Sequence, residues 1–519
     1  MGSVVALIRD VYYTVSAVWH TLSGLNAQFQ AALQRATKAP GLPVPNPSSS
    51  YWQDDAPFPS LADAQVDALP DEVDVVIIGS GITAAAAARA LLEVSPEPPR
   101  ILVLEARQLC SGATGRNGGH IKCVPYEVFP RLRKKHGVET ARRLLRFQMR
   151  HLGMLSEVGE RFPLGEVREV ETVDFFIHDG DFEKAKKALD ETREFVPEVK
   201  GEVWEAAEAA KKFGVNEKVK GAISYPAGAL WPFRLITSLW EDLLRKHDTL
   251  AISTNTPVTQ VIKDSSDSKS SSTNYPYVVE TPRGSLRCRQ VLHATNAFAS
   301  QLVPSLRGRL AGAHAQMTAQ QPGHEFPVSH GLRSWSIIYM PGFDYITQRP
   351  DAADGAPGDL MIGGGYFRSR ENGLDSIGVY DDSSEREAAF PIMHLYGAMP
   401  TVFQPNWGAG SYVKKVWSGI IAMTGDGLPF VGRLPPSSGS QQDNAGEWLA
   451  AGYNGEGMVF AWLCGTGVGI MMAGQEDAHL EPEVGRPGGR LADWFPVDEF
   501  AYSKARLRSA DLRNLANEV

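Results

Sequence analysis

Two short segments of this 519-residue chain combine bare backbone with small polar side chains at spacings suited to holding phosphate. The first is Gly79-Ser80-Gly81-Ile82-Thr83-Ala84, entered directly from the apolar run Asp74-Val75-Val76-Ile77-Ile78. Strand, tight turn and helix come here in the order that a phosphate-binding βαβ unit requires. Gly79 permits the turn, Gly81 lets a pyrophosphate approach the backbone, and Ala84 is small enough for the helix to pack on the strand. Free amides and the helix dipole would then face the anion. About 21 residues past Ala84, Glu105 ends the apolar run Ile101–Leu104. An acid at that distance is placed to accept hydrogen bonds from a ribose 2′-OH, which disfavours a 2′-phosphate.

The second segment is Ser111-Gly112-Ala113-Thr114-Gly115-Arg116-Asn117-Gly118-Gly119-His120. Its four glycines, with Ser, Thr and Asn, offer backbone amides and small donors that suit a phosphate and the edge of an isoalloxazine. The βαβ unit alone does not separate NAD from FAD, and this loop favours FAD. Gly452-Tyr453-Asn454-Gly455-Glu456-Gly457-Met458 is a further Gly-rich segment late in the chain.

The elements that must position these loops alternate along the chain. Val73–Ile78 and Ile101–Leu104 read as strands of a buried parallel sheet, with Ala84–Leu92 a helix between them. Asp181–Phe195 and Glu202–Phe213 read as charged amphipathic helices. Trp335–Met340, Asp344–Gln348 and Leu360–Gly363 read as strands of a mainly antiparallel sheet. Ser265–Thr273 lies between strand-like runs Pro257–Lys263 and Tyr275–Thr281, as an exposed hairpin extension. Pro40 to Pro47 and Ser48 to Ser50 form a Pro/Ser-rich connector. Before it, Val4, Ile8, Val11, Val15, Val18 and Leu22 recur at helical spacing. That helix either packs on the body or contacts a membrane surface or partner. Arg9 and Asp10 interrupt any signal-peptide core, and Ala6 stands where a myristoylation motif at Gly2 wants Ser or Thr.

The segments together resemble the D-amino-acid-oxidase-type flavoproteins, in particular the glycine-oxidase and γ-glutamylputrescine-oxidase-like branch. The loop Ser111–His120 is similar to that branch's G-A-[ST]-G-R-N-G-G segment. Ala227-Gly228-Ala229-Leu230-Trp231-Pro232, Thr256-Pro257-Val258, Arg289–Ala297, Trp417-Ser418-Gly419 and Thr424–Pro429 follow in family order, and the likeness spans roughly residues 71–475.

The resemblance implies an α/β plus α+β fold. A Rossmann-like FAD-binding domain (71–123, 225–300 and 415–480) would hold an inserted substrate domain (124–224 and 301–414) built on a mainly antiparallel sheet. Residues 1–50 would stand before it as helix and connector, and 481–519 as a C-terminal extension. Implied cofactor contacts are Gly79, Ser80, Gly81, Ile82, Thr83, Glu105, Ala106, Arg107, Ser111, Thr114, Asn117, Gly118 and Gly119. Val258 would add backbone contact on the adenine side, Thr295 a contact from the returning strand, and Gly455, Glu456, Gly457 and Met458 the pyrimidine edge. No cysteine lies close to Gly419, so non-covalent FAD is expected. Val459 stands where sarcosine-oxidase relatives carry a lysine.

The activity implied is oxidation of a C–N bond of an amine or amino acid by hydride transfer to flavin N5, with O2 as acceptor giving H2O2. Pocket candidates are His120, Lys122, Tyr345, Arg349, Tyr366, Arg368 and Trp417. Competing readings are a dehydrogenase with another acceptor, an NAD(P)H-dependent hydroxylase suggested by Gly425-Asp426, and a partner-binding flavoprotein without turnover. Net charge is −9 with no Lys/Arg run, which argues against a nucleic-acid surface. No apolar run reaches the length of a membrane span. Cys110, Cys123, Cys288 and Cys464 form no C-x-x-C pair or Cys/His cluster, so no metal site is expected, and they read as reduced thiols of a cytoplasmic protein.

Overall fold

The computed structural model describes residues 23–264, 274–435 and 446–517. The helix expected over residues 4–22 and the Ser-rich stretch 265–273 lie outside them. Among the described residues no helix is long and apolar enough to cross a membrane.

Two sheets carry the fold. In the first, Glu72–Ile78 lies between Ile101–Leu104 and Gly284–His293, and Leu250–Ser253 and Glu447–Ala451 extend the two sides, all parallel. Val76, Ile77, Val103, Val291 and Leu292 have no exposed surface, as strands covered on both faces require. An antiparallel strand, Phe430–Arg433, ends one edge. The hairpin Gln260–Lys263 with Tyr277–Thr281 joins Gly284–His293 antiparallel. Helix Ile82–Val94 follows the first strand, beginning two residues earlier than the apolar periodicity suggests. Against it packs Ala461–Met472. A Cβ on Gly465 would stand 2.3 Å from the Thr83 carbonyl oxygen, and one on Gly469 2.5 Å from that of Ala87. Small residues four apart on facing helices let two backbones touch.

The second sheet runs Tyr412–Thr424, Leu310–Gln321, Leu360–Gly364, Phe343–Gln348, Arg333–Ile338, Arg168–Phe176, Gly221–Ala229 and His120–Ile121. Only the pairing of Arg333–Ile338 with Arg168–Phe176 is parallel, so the sheet is mainly antiparallel, as the sequence suggests. Glu202–Phe213 is not one helix: Glu202–Glu205 pairs with Gly221–Ala229, and a helix follows over Ala206–Phe213. Glu205 and Glu208 form a capping box at that junction, which stops the helix from running further back.

Residues 50–52 and 495–506 pack into the body of the fold. Ser50 donates to the Gly115 carbonyl at 2.6 Å, and Trp52 is buried. Phe495 and Phe500 join the core around Phe147, and Arg506 pairs with Asp426 at 2.8 Å. Gly425-Asp426 therefore anchors the C-terminal segment.

Candidate functional site

At the carboxyl ends of three adjacent parallel strands the chain turns toward one cavity of about 650 Å³. Gly79 follows Ile78, Glu105 follows Leu104, and Ala294 follows His293, all on its wall. Open α/β sheets bind ligands in this crevice. From there the cavity reaches the face of the second sheet, where Ser336, Ile338 and Tyr345 line it.

The strand-end portion is shaped by backbone. Gly79 has φ +102°, and a Cβ there would lie 2.7 Å from the Ala294 carbonyl oxygen. Gly81 caps helix Ile82–Val94 without a side-chain bond, while Thr114 accepts from the Ile82 amide at 2.9 Å. The turn and the Gly-rich loop, remote in sequence reasoning, thus touch. Glu105 accepts from the Ser80 amide at 3.0 Å, the Ser80 hydroxyl at 2.7 Å and the Arg107 amide at 3.0 Å. Thr295 presents a buried hydroxyl without a partner.

Two buried guanidiniums share one carboxylate nearby. Arg107 donates to Asp382 at 2.9 and 3.1 Å, and Arg116 lies 3.4 Å from it. Burial lowers Arg116 to about 10 despite Asp382. Ser48, from the stretch read as a connector, accepts from Arg116 and donates its amide to the Asp382 carbonyl. Gly41, Leu42 and Pro43 line the cavity as well. Composition marks this stretch as irregular, but it carries no signal for where it packs.

At the far end, Lys122 contacts Asp174 and the Ser336 hydroxyl, and is nearly buried. Tyr225 donates to Asp174 at 2.6 Å, and Tyr126 bonds the same oxygen. Burial, helped by Lys122, holds the His120 imidazole well below its ordinary range, so it is neutral at pH 7, 2.9 Å from the Ser334 hydroxyl. Glu127 lines the cavity on the first turn of helix Pro125–His136. Its side chain is exposed within the open cavity, and loss of hydration against the cavity wall, with Asp174 adding, pushes its carboxyl up to about 7. Burial also raises Glu456, against the pull of Arg131. Asp174 left one sequence signal, an acid inside the apolar run Val173–Phe176; Glu127 looks like any acid at a helix start.

Asp174→Asn is expected to destabilise the protein by about 2 kcal/mol, since Lys122 stays buried without its counter-charge. Urea unfolding checks this; a midpoint matching that of the parent would contradict it.

All the expected cofactor residues except Ser111 and Gly119 line the cavity. The Ser111 carbonyl accepts from Arg116 behind the wall, and Gly119, at φ +62°, is pressed against the Leu230 carbonyl. Of the pocket candidates, His120, Lys122, Tyr345 and Tyr366 line it. The Tyr345 hydroxyl donates to the Met317 sulfur at 3.1 Å, and Tyr366 stands between this cavity and a second of about 230 Å³. Arg349, past the end of its strand, pairs with Glu166 at 2.6 Å and lies over Trp231. Arg368 lies over Tyr339. Trp417 has no exposed surface and donates to the Arg116 carbonyl.

Residues 74–468 match the model of the DAO family, FAD dependent oxidoreductase. The chain belongs to that family. FAD is accordingly its cofactor, and the strand-end glycines, the unpaired Thr295 hydroxyl and Glu105 fit a dinucleotide. The fold matches those of solved family-like structures. Glycine oxidase from Geobacillus kaustophilus is 18% identical over 84% of this chain and 99% of its own, with TM-score 0.59. L-proline dehydrogenase from P. horikoshii is 18% identical over 83% and 97%, with TM-score 0.57. Iminodiacetate oxidase from Chelativorans sp. BNC1 is 15% identical over 77% and 95%, with TM-score 0.57. A comparison with curated proteins gives no match.

Proposed function

We propose that this family member oxidises the C–N bond of an amine or amino acid to an imine, with O2 as the final electron acceptor. The observation that carries the reading is one continuous cavity joining the glycine turns of the parallel sheet to a polar, buried constellation on the antiparallel one. The oxidases among the similar structures support the reaction class. The division into FAD-binding and substrate portions belongs to the same reading, with Gly221–Ala229 and Tyr412–Thr424 assigned to the substrate side because they pair in the second sheet.

FAD, when bound, supplies a two-electron acceptor for the substrate's α-hydride. Gly79, Gly81 and Thr114 would hold its pyrophosphate, Glu105 its ribose, and Gly455 to Met458 the pyrimidine edge, without a covalent bond. His120, neutral, offers a hydrogen bond without a competing charge. Asp174 and its tyrosines hold Lys122 in place, while Ile338, Phe343 and Tyr345 keep water from the reacting carbon.

Anaerobic mixing with a panel of amines and amino acids is expected to bleach the flavin at least tenfold faster with one member than without substrate. Absence of bleaching across the panel, with rapid reduction by NADPH, would overturn the proposal in favour of a hydroxylase.

A further inference from the structure

We infer that the substrate end of the cavity admits the cationic nitrogen of an amine without an α-carboxylate, and that Glu127 receives it. This rests on the function proposed above and narrows its substrate class. A site built for an α-amino acid needs a cation free to clamp the carboxylate. Among the described residues lining the cavity, four are permanent cations, and each already faces an acid. Arg107 and Arg116 share Asp382, Lys122 holds Asp174, and Arg131 lies 3.3 Å from Glu456. His120 is neutral and adds no charge.

The acids outnumber these cations. Glu105 is satisfied by Ser80 and the Arg107 amide, whereas the Glu127 carboxylate has no hydrogen bond or ion pair among the described residues. At the substrate end two carboxylates, Glu127 and Asp174, face one cation, Lys122, while Glu456 beside the flavin edge is matched by Arg131. The unmatched charge is negative. A ligand that brought a carboxylate would compete with Asp174 for Lys122, leaving an almost fully buried acid with only Tyr126 and Tyr225 as partners. A ligand that brought an ammonium would complete the set.

The groups facing Glu127 fix the sign of the pH response. Asp174 and Glu456 raise its pKa, Lys122 and Arg131 lower it, and burial dominates; Tyr126 and Tyr225 bond Asp174 and feel the Glu127 charge directly as well. Glu127 is therefore ionised above about 7 and neutral below. Affinity for an ammonium is present above that pH and lost as pH falls through it.

The test uses the FAD-loaded protein and two ligands of one shape and opposite charge, tert-butylammonium and pivalate, neither of which carries an oxidisable α-hydrogen. Calorimetry at pH 8 is expected to show tert-butylammonium binding at least tenfold tighter than pivalate. Glu127→Gln should weaken the ammonium at least tenfold and remove its loss between pH 8 and 6, while Glu127→Asp keeps part of both. Flavin absorbance and melting temperature check that the variants remain folded and loaded. Pivalate binding as tightly as the ammonium, or an unchanged Glu127→Gln, would overturn the inference. So would faster anaerobic flavin reduction by lysine or phenylalanine than by cadaverine or phenylethylamine. If no compound reduces the flavin but the ammonium still binds through Glu127, the proposed reaction fails and the charge inference stands.

Discussion

Gly79→Ala is expected to purify without visible flavin absorbance and to bind added FAD at least a hundredfold more weakly than the parent. Its backbone holds φ at +102°, where an L side chain is strained by about 1–3 kcal/mol. The added methyl also meets the Ala294 carbonyl at 2.7 Å, so strand and returning strand must part where the cofactor sits. A hundredfold loss corresponds to about 2.7 kcal/mol, within reach of strain and collision together. Gly284→Ala separates pocket from strain, because Gly284 has φ +124° with open space around the added carbon and lies on a hairpin away from the cavity. That variant should keep its FAD. Equal losses in both, read by absorbance and fluorescence titration, would show that general backbone strain and not the turn is responsible.

Asp382→Asn should lower stability by about 4 kcal/mol, the largest loss expected from a single charge in this protein. Asp382 is 2% exposed and is the acid shared by Arg107 and Arg116, whose side chains are 10% and 2% exposed. Removing it leaves two desolvated cations facing one another, a worse outcome than breaking one pair. Because Arg107 and Arg116 also wall the strand-end portion of the cavity, the variant is expected to lose FAD on dilution. Melting with and without excess FAD measures both effects. A melting temperature within 1 °C of the parent, a shift equivalent to about 1 kcal/mol for a chain of this size, would refute the account.

The contrast between these two residues explains what a reader of the sequence can find. Gly79 is legible because the physics of a tight turn is local: an apolar strand on one side and a helix on the other dictate glycine between them. Glu105 and the Ser111–His120 loop are legible for the same reason. Asp382 stands in an irregular stretch, and its partners precede it by hundreds of residues, so nothing near it announces a buried acid. Arg349 misleads in the opposite way. A basic residue on an inferred substrate strand invites a role in the pocket, but the strand ends at Gln348 and the side chain turns to Glu166 and Trp231. The helix break at Glu202–Glu205 is tertiary as well: edge pairing with Gly221–Ala229 outcompetes a sequence that would propagate a helix.

The close seat of Ala461–Met472 on Ile82–Val94 bears on biosynthesis. The nucleotide turn near the N-terminal end is completed by a strand that ends at His293, another that ends at Ala451, and a helix that ends at Met472. A ribosome must therefore pass Ala461 before helix Ile82–Val94 finds this partner. Until then, the face of Ile82–Val94 that carries Thr83, Ala86, Ala87 and Ala90 lacks this cover. Cofactor uptake is thereby postponed until Ala461–Met472 has emerged, and the unfinished chain exposes part of an alanine-rich helix during the interval when aggregation competes with folding.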